Sequence, residues 1–313
     1  MVIDTHVHLI RPFDSRGNRQ VYSGNPAGAQ DYVALMEEAG IGRAFFISWS
    51  PEDIPSDLLV KGIAPETVRE TMNREYALEV MGRYPDRFHW FPCHLGPLLG
   101  DARRMARENL SLGAAGLKLV PSFWGELPDD ERLLPLYDLA DEFGAQVIID
   151  FSYWYLGKDD PTDPDKLPPG HREVARHVTD FQDYLSHLRP ILSAHPSVNF
   201  QLAHAGARSF TPDHAREVGE FIGEYPNLYA DLGALPTDAP ALDILVETAG
   251  PDRVMFGTDW PHSAQGEAMR RAVDHIRRPG RFPPNAADMI LGENAVRFVK
   301  GRKPGLGSAE SCA

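Results

Sequence analysis

VIDTHVH, residues 2–8, opens the chain with an apolar strand that delivers two histidines two residues apart. Side chains along a strand repeat with period two, so His6 and His8 are expected on one face, with Asp4 on that face one step deeper. A neutral imidazole is the commonest metal ligand, and a pair fixed on one strand loses little freedom on coordination. Short His-x-His matches also occur in strands that bind nothing, so the motif needs partners elsewhere. Two other apolar runs supply them: VNFQLAHAG, residues 198–206, reaches His204, and RVMFGTDWPH, residues 253–262, passes Gly257 to Asp259. A parallel barrel keeps its catalytic groups at the C-terminal ends of its strands, and three such ends here carry histidine or aspartate.

Working outward, short and nearly continuous apolar runs recur at Ala44 to Ser48, Phe88 to His94, Ala115 to Val120, Gln146 to Phe151 and Asn227 to Leu232. With the three runs above they make eight strands of the kind that helices cover on the outside. Amphipathic stretches alternate with them: residues 29–39, 65–84, 101–112, 130–143, 178–194, 211–225, 239–249 and 265–276. Thr211-Pro212-Asp213 reads as a helix start, and Gly40, Gly113, Gly144 and Gly250 stand where helices stop. Strict alternation predicts an α/β fold, one (β/α)8 TIM barrel over residues 1–300, with a further helix at 286–299 closing its end. Residues 301–313 read as a flexible tail holding Cys312. Three βα connections, residues 9–28, 49–64 and 152–177, are long enough for lids or binding loops at the C-terminal face.

A chain of 313 residues buries a sizeable core. The net charge of −14 and the lack of a Lys/Arg cluster argue against a nucleic-acid partner. No secretory leader pattern precedes the first strand and no apolar run approaches a membrane span, so a cytoplasmic protein without a membrane partner is expected. Two cysteines are too few for a disulfide framework; Cys93, within an apolar run, reads as core filler. Aromatic residues follow the strands at Trp49, Phe123, Trp124, Phe151, Tyr153, Trp154, Tyr155 and Trp260, a rim suited to a flat or cyclic organic substrate or to packing of a lid. His94 reads as a wall residue, while His89, His171, His177, His187, His195, His214 and His275 read as surface residues.

The order of DTHVH at the start, LAHAG at the sixth strand and FGTDWPH at the eighth, followed by ILGENAVRF at 290–298, resembles the amidohydrolase superfamily in its amidohydrolase-related branch. The resemblance spans nearly the whole chain and implies a barrel enzyme of the group that includes metal-dependent hydrolases, lactonases and nonoxidative decarboxylases. It assigns His6 and His8 as first-strand metal ligands, Asp259 as the carboxylate that ligates metal and moves a proton, and His204 as a ligand or a polarising group. At the fifth strand the chain departs from the pattern: VIIDFSYW offers Asp150 where metal-dependent relatives carry histidine, and aspartate is a competent ligand for zinc, manganese or magnesium. Lys118, in GLKLVP, matches a position that bridges two metals in binuclear relatives, but it also suits a substrate carboxylate or an ion pair with Asp150.

The resulting expectation is one divalent ion, zinc ahead of manganese, held by His6, His8, Asp150 and Asp259. Asp259 and His204 are the catalytic groups, and Lys118, Trp124, Phe151, Tyr153, Trp154, Trp260 and His262 contact a cyclic or aromatic small molecule. Metal-activated water with Asp259 as general base would open a lactone, ester or amide bond. Decarboxylation of an aromatic or muconate-type acid is the alternative on the same parts, and a metal-independent lactonase is a lesser one. Homodimers are expected by resemblance to the branch.

Overall fold

The apolar runs become eight parallel strands: β1 (Val2–Val7), β2 (Ile41–Trp49), β3 (Phe88–His94), β4 (Gly116–Leu119), β5 (Gln146–Asp150), β6 (Phe200–Ala203), β7 (Leu228–Asp231) and β8 (Val254–Met255). The computed structural model describes residues 1–14, 16–22, 25–49, 70, 73–94, 101–121, 126–150, 178, 180–206, 210–262 and 266–300. Each strand pairs with the next in sequence order. The two ends of that order meet through a parallel bridge between Val7 and Trp260, Thr5 N–H donating to the Phe256 carbonyl (2.9 Å) and His8 N–H to the Trp260 carbonyl (2.7 Å). The result is the (β/α)8 barrel expected from the alternation, with a two-residue antiparallel pair, Val21–Tyr22 with Asn25–Pro26, in the first βα connection.

Helices α1 (Ala29–Ala39), α2 (Arg74–Arg83), α3 (Ala102–Ser111) and α4 (Leu134–Phe143) alternate with the first strands. Gly40 ends α1 at φ 69°, a left-handed conformation that costs glycine nothing and lets its N–H cap the Met36 and Glu37 carbonyls. Two short helices, α5 (Phe181–Ser186) and α6 (Arg189–Ala194), replace the single helix expected over 178–194. Pro190 lacks an N–H to donate back to Ser186 and is suited to a first helical turn, so it stands at the start of a new helix rather than continuing the old one. Then come α7 (Pro212–Gly223), α8 (Pro240–Ala249) and α9 (Glu267–Ile276). The last expected helix is α10 (Ala286–Asp288), a π turn at Met289–Glu293 and α11 (Asn294–Lys300). Phe298 of α11 stands against Phe45, Phe91 and Tyr229 and plugs the barrel, while the Asn294 amide donates to the Val254 carbonyl at the start of β8.

Other differences from the sequence reading have local causes. The strand expected over 253–259 is only two residues long because the Phe256 N–H leaves the sheet and donates to the Ile290 carbonyl of the π turn (2.8 Å). In β1, Asp4 pairs with Ala44 but Val7 with Phe46, three residues against two. That shift breaks the simple alternation, and Asp4 does not stand with the imidazoles: it accepts from the Tyr32 hydroxyl of α1 (2.7 Å) and from the Thr258 hydroxyl (2.6 Å). His195, read as a surface residue, is buried. Cys93 is buried core, as expected. The 50–64 and 151–177 stretches of the long connections, the beginning of the 65–84 helix and the 301–313 tail lie outside the described residues. Among the described residues no helix is long and apolar enough to cross a membrane.

Candidate metal centre

His6, His8 and Asp259 converge where β1 meets the turn after β8, and their ligand atoms lie within 4.8 Å of one another. All three are buried, at 0%, 4% and 3% exposure. His6 Nε2 is 3.7 Å and His8 Nε2 3.5 Å from Asp259 Oδ1. The tautomers follow from the partners of the other ring nitrogen. His8 Nδ1 faces the Ile47 carbonyl (3.2 Å), which only accepts, so Nδ1 carries the proton and Nε2 keeps its lone pair. His6 Nδ1 lies 3.0 Å from the Asp231 carboxylate, which leaves His6 Nε2 buried with no hydrogen-bond partner among the described residues. A buried imidazole nitrogen without a partner, beside a second one and a carboxylate, fits a divalent ion of the zinc or manganese type.

Electrostatics agree with that donor set. Burial pushes His6 down to about 4, although Asp231 pulls the other way, so its ring is neutral. Burial alone would raise Asp259, but the surrounding imidazoles of His8, His204, His6 and His262 hold it well below the usual carboxylate range. Asp259 has φ 55°, a left-handed conformation rare outside glycine, stabilised by its N–H donating to the His6 carbonyl (2.8 Å).

The next arc of the barrel carries a second group. His204 follows β6 and its ring lies 4.6 Å from that of His6, centroid to centroid. Its Nδ1–H donates to the Gly233 carbonyl (2.8 Å), and its Nε2 is 3.7 Å from Asp150 Oδ2. The Lys118 ammonium, on β4 and 2% exposed, is 3.6 Å from that same Asp150 oxygen and has no hydrogen-bond partner among the described residues. Burial would lower His204, but Asp150, Asp259 and Asp231 outweigh it and raise the imidazole to about 9. Asp150, expected as a ligand, is thus drawn to Lys118 and His204 and stands outside the groups of described residues able to hold an ion.

The remaining expected residues divide. His262 meets His8 edge-on at 5.6 Å, and Trp49 stacks on His8 at 5.4 Å. Trp260 does not line the rim: it is fully buried 4.9 Å from the Tyr32 ring, because the turn after β8 directs it into the layer between barrel and α1. His94 is buried beside Asn109. Phe123, Trp124, Phe151, Tyr153, Trp154 and Tyr155 lie outside the described residues. Sequence reasoning missed Asp231 and Gln201. Asp231 occupies the end of β7 as Asp150 occupies that of β5, and that shared register was the available signal.

An eight-stranded parallel barrel with an imidazole and carboxylate cluster at its C-terminal mouth defines the class of protein. The chain belongs to the amidohydrolase family, whose model matches residues 3–301. No curated protein matches it. Among solved structures it is similar to an uncharacterised TIM-barrel protein from Bordetella bronchiseptica (20% identity, 96% of this chain and 98% of that one, TM-score 0.61). It is also similar to 2,6-dihydroxybenzoate decarboxylase from Rhizobium (17%, 96% and 98%, TM-score 0.62) and to 5-carboxyvanillate decarboxylase from Novosphingobium aromaticivorans with bound manganese (16%, 96% and 97%, TM-score 0.63). At these identities the likeness is one of fold.

Proposed function

We propose that the chain is a metal-dependent enzyme acting on a cyclic or aromatic carboxylic acid, and that the reaction is nonoxidative decarboxylation. The observation that carries this reading is the placement of His204 between the His6, His8 and Asp259 group and the Asp150 carboxylate, which draws a proton to its imidazole, with Lys118 buried against that same carboxylate. Loss of carbon dioxide leaves an electron pair on carbon that needs an acid nearby, and a cationic imidazole is such an acid. Hydrolysis asks instead for a base to take a proton from water, the part that Asp259 would play. Decarboxylases among the structural neighbours are consistent with this ordering.

A divalent ion bound by His6, His8 and Asp259 would supply Lewis-acid polarisation of a substrate oxygen. Lys118 offers a buried cation for the substrate's carboxylate, since the ion pair with Asp150 is loose at 3.6 Å. His204, oriented by Gly233 through Nδ1, presents Nε2 to the site and holds the proton destined for carbon. Trp49, stacked on His8, gives a flat wall against which a planar ring packs.

Hydrolysis of a lactone or ester remains the second reading, favoured by the contact of Asp259 with both first-strand imidazoles. The test is incubation of the zinc- and manganese-loaded protein with hydroxylated aromatic acids and, separately, with lactones and aryl esters. Carbon dioxide release that stops on chelation is expected. Acid release from the lactones or esters without carbon dioxide would select the second reading.

A further inference from the structure

Asp231 is wholly buried at the end of β7, and among the described residues the hydrogen-bond partners of its carboxylate are N–H donors. Oδ2 accepts from His6 Nδ1 (3.0 Å) and from the Gln201 amide (2.5 Å); Oδ1 accepts from the backbone N–H of His204 (2.9 Å) and of Gly233 (2.8 Å). The Gln201 amide also donates to the Thr5 carbonyl (3.1 Å), tying the same cluster to β1. His204 and Ala205 have φ of 57° and 46°, so the N–H given to Asp231 anchors a left-handed pair. His6, His204 and Asp231 also fall within 4.8 Å of one another, as a cation group would. Their atoms, however, are committed to each other and to backbone.

We propose that Asp231 is a positioning residue that sets both functional imidazoles at once: it fixes His6 with its proton on Nδ1 and its Nε2 lone pair toward the ion, and it holds the backbone that places His204. Four N–H donors need four acceptor sites, which a carboxylate has and an amide lacks. In Asp231→Asn the new NH2 meets either the His204 and Gly233 amides or the His6 and Gln201 pair. In the second case it donates to His6 Nδ1, the ring proton moves to Nε2, and the ligand lone pair is lost. Gly233 belongs to the same device. A Cβ there would come 2.9 Å from Asp231 Oδ1 and 3.1 Å from Nδ1 of both His204 and His6, so only glycine lets the three groups close.

The inference rests on the metal reading of His6, His8 and Asp259, and the test separates the two. Nitrogen-15 NMR of the histidine rings in the metal-free protein, with His6 assigned by its loss in His6→Gln, reports the tautomer directly. Chelator competition with Zn2+ and Mn2+ reports ion affinity. The wild type is expected to carry the His6 proton on Nδ1, and Asp231→Asn and Gly233→Ala to weaken ion binding by about 10- to 100-fold, the usual effect of removing such a hydrogen bond. A His6 proton on Nε2 in the wild type overturns the proposal, as do folded variants that bind both ions with wild-type affinity. If Asp231→Asn fails to fold, the wild-type tautomer and Gly233→Ala decide. If the wild type binds neither ion, the metal reading falls, while a His6 tautomer that switches in Asp231→Asn still upholds the positioning role.

Discussion

His8 reaches the centre with its Nδ1 proton committed to Ile47 and only its Nε2 turned toward Asp259, so truncating it removes a donor and little of the core. His8→Ala is therefore expected to lose most of its ion on dialysis, read by elemental analysis, while its melting temperature shifts by no more than a few degrees. Full retention would remove His8 from the ligand set. Glu126 raises a question of stability instead. Its side chain is 1% exposed, neither oxygen has a hydrogen-bond partner among the described residues, and Arg132 stands 3.3 Å away. Burial pushes this carboxyl from 4.5 up to about 7 against the pull of Arg132. A folded-state value above the unfolded one means that the native state binds the proton more tightly. The stabilisation is thus complete below the unfolded value and is lost as pH rises through about 7. Glu126→Gln cannot ionise, so chemical denaturation at pH 5 and pH 8 should show a smaller drop across that interval than in the wild type. An equal drop would place the titration elsewhere.

Elements were legible in the sequence wherever their limits are written in local chemistry. α1 runs over residues 29–39 as expected because Gly40 stops it, and α7 begins after Thr211 because the threonine hydroxyl accepts the His214 N–H (3.2 Å) with Pro212 in the first turn. Thr211→Ala removes that cap and should cost about 1 kcal/mol, seen as a lower denaturation midpoint at unchanged slope. No change would mean that water replaces the hydroxyl. Where partners distant in sequence decide, the reading failed. The extra residue in β1 is set by its register on β2, the early end of β8 by the Ile290 carbonyl, and neither leaves a mark in its own strand. The split between α5 and α6 was legible through Pro190, but the helical period of the surrounding residues concealed it.

At the scale of the molecule, closing the barrel divides the mouth into two arcs. β1 and the turn after β8 bring together His6, His8 and Asp259, while β4, β5 and the turn after β6 bring together Lys118, Asp150 and His204. The first arc was legible because strand-end histidines and a late aspartate share one rule of position. Asp231 was not, since its meaning comes from donors on β1, β6 and the turn after β7 that only the closed barrel assembles. Asp150 lies in the second arc, against Lys118 and His204, and its substitution tests its role. If it were a ligand, Asp150→Ala would release the ion. In the arrangement here it lies against both Lys118 and His204, so Asp150→Ala should keep the ion, leave those two side chains facing each other without their shared carboxylate, and lower the proton affinity of His204. The expected result is an unchanged ion content by elemental analysis, together with a downward shift of the alkaline limb of the pH profile, the limb on which His204 loses its proton. Loss of the ion on that substitution, restored in Asp150→His, would move Asp150 into the first arc and give the centre a fourth ligand.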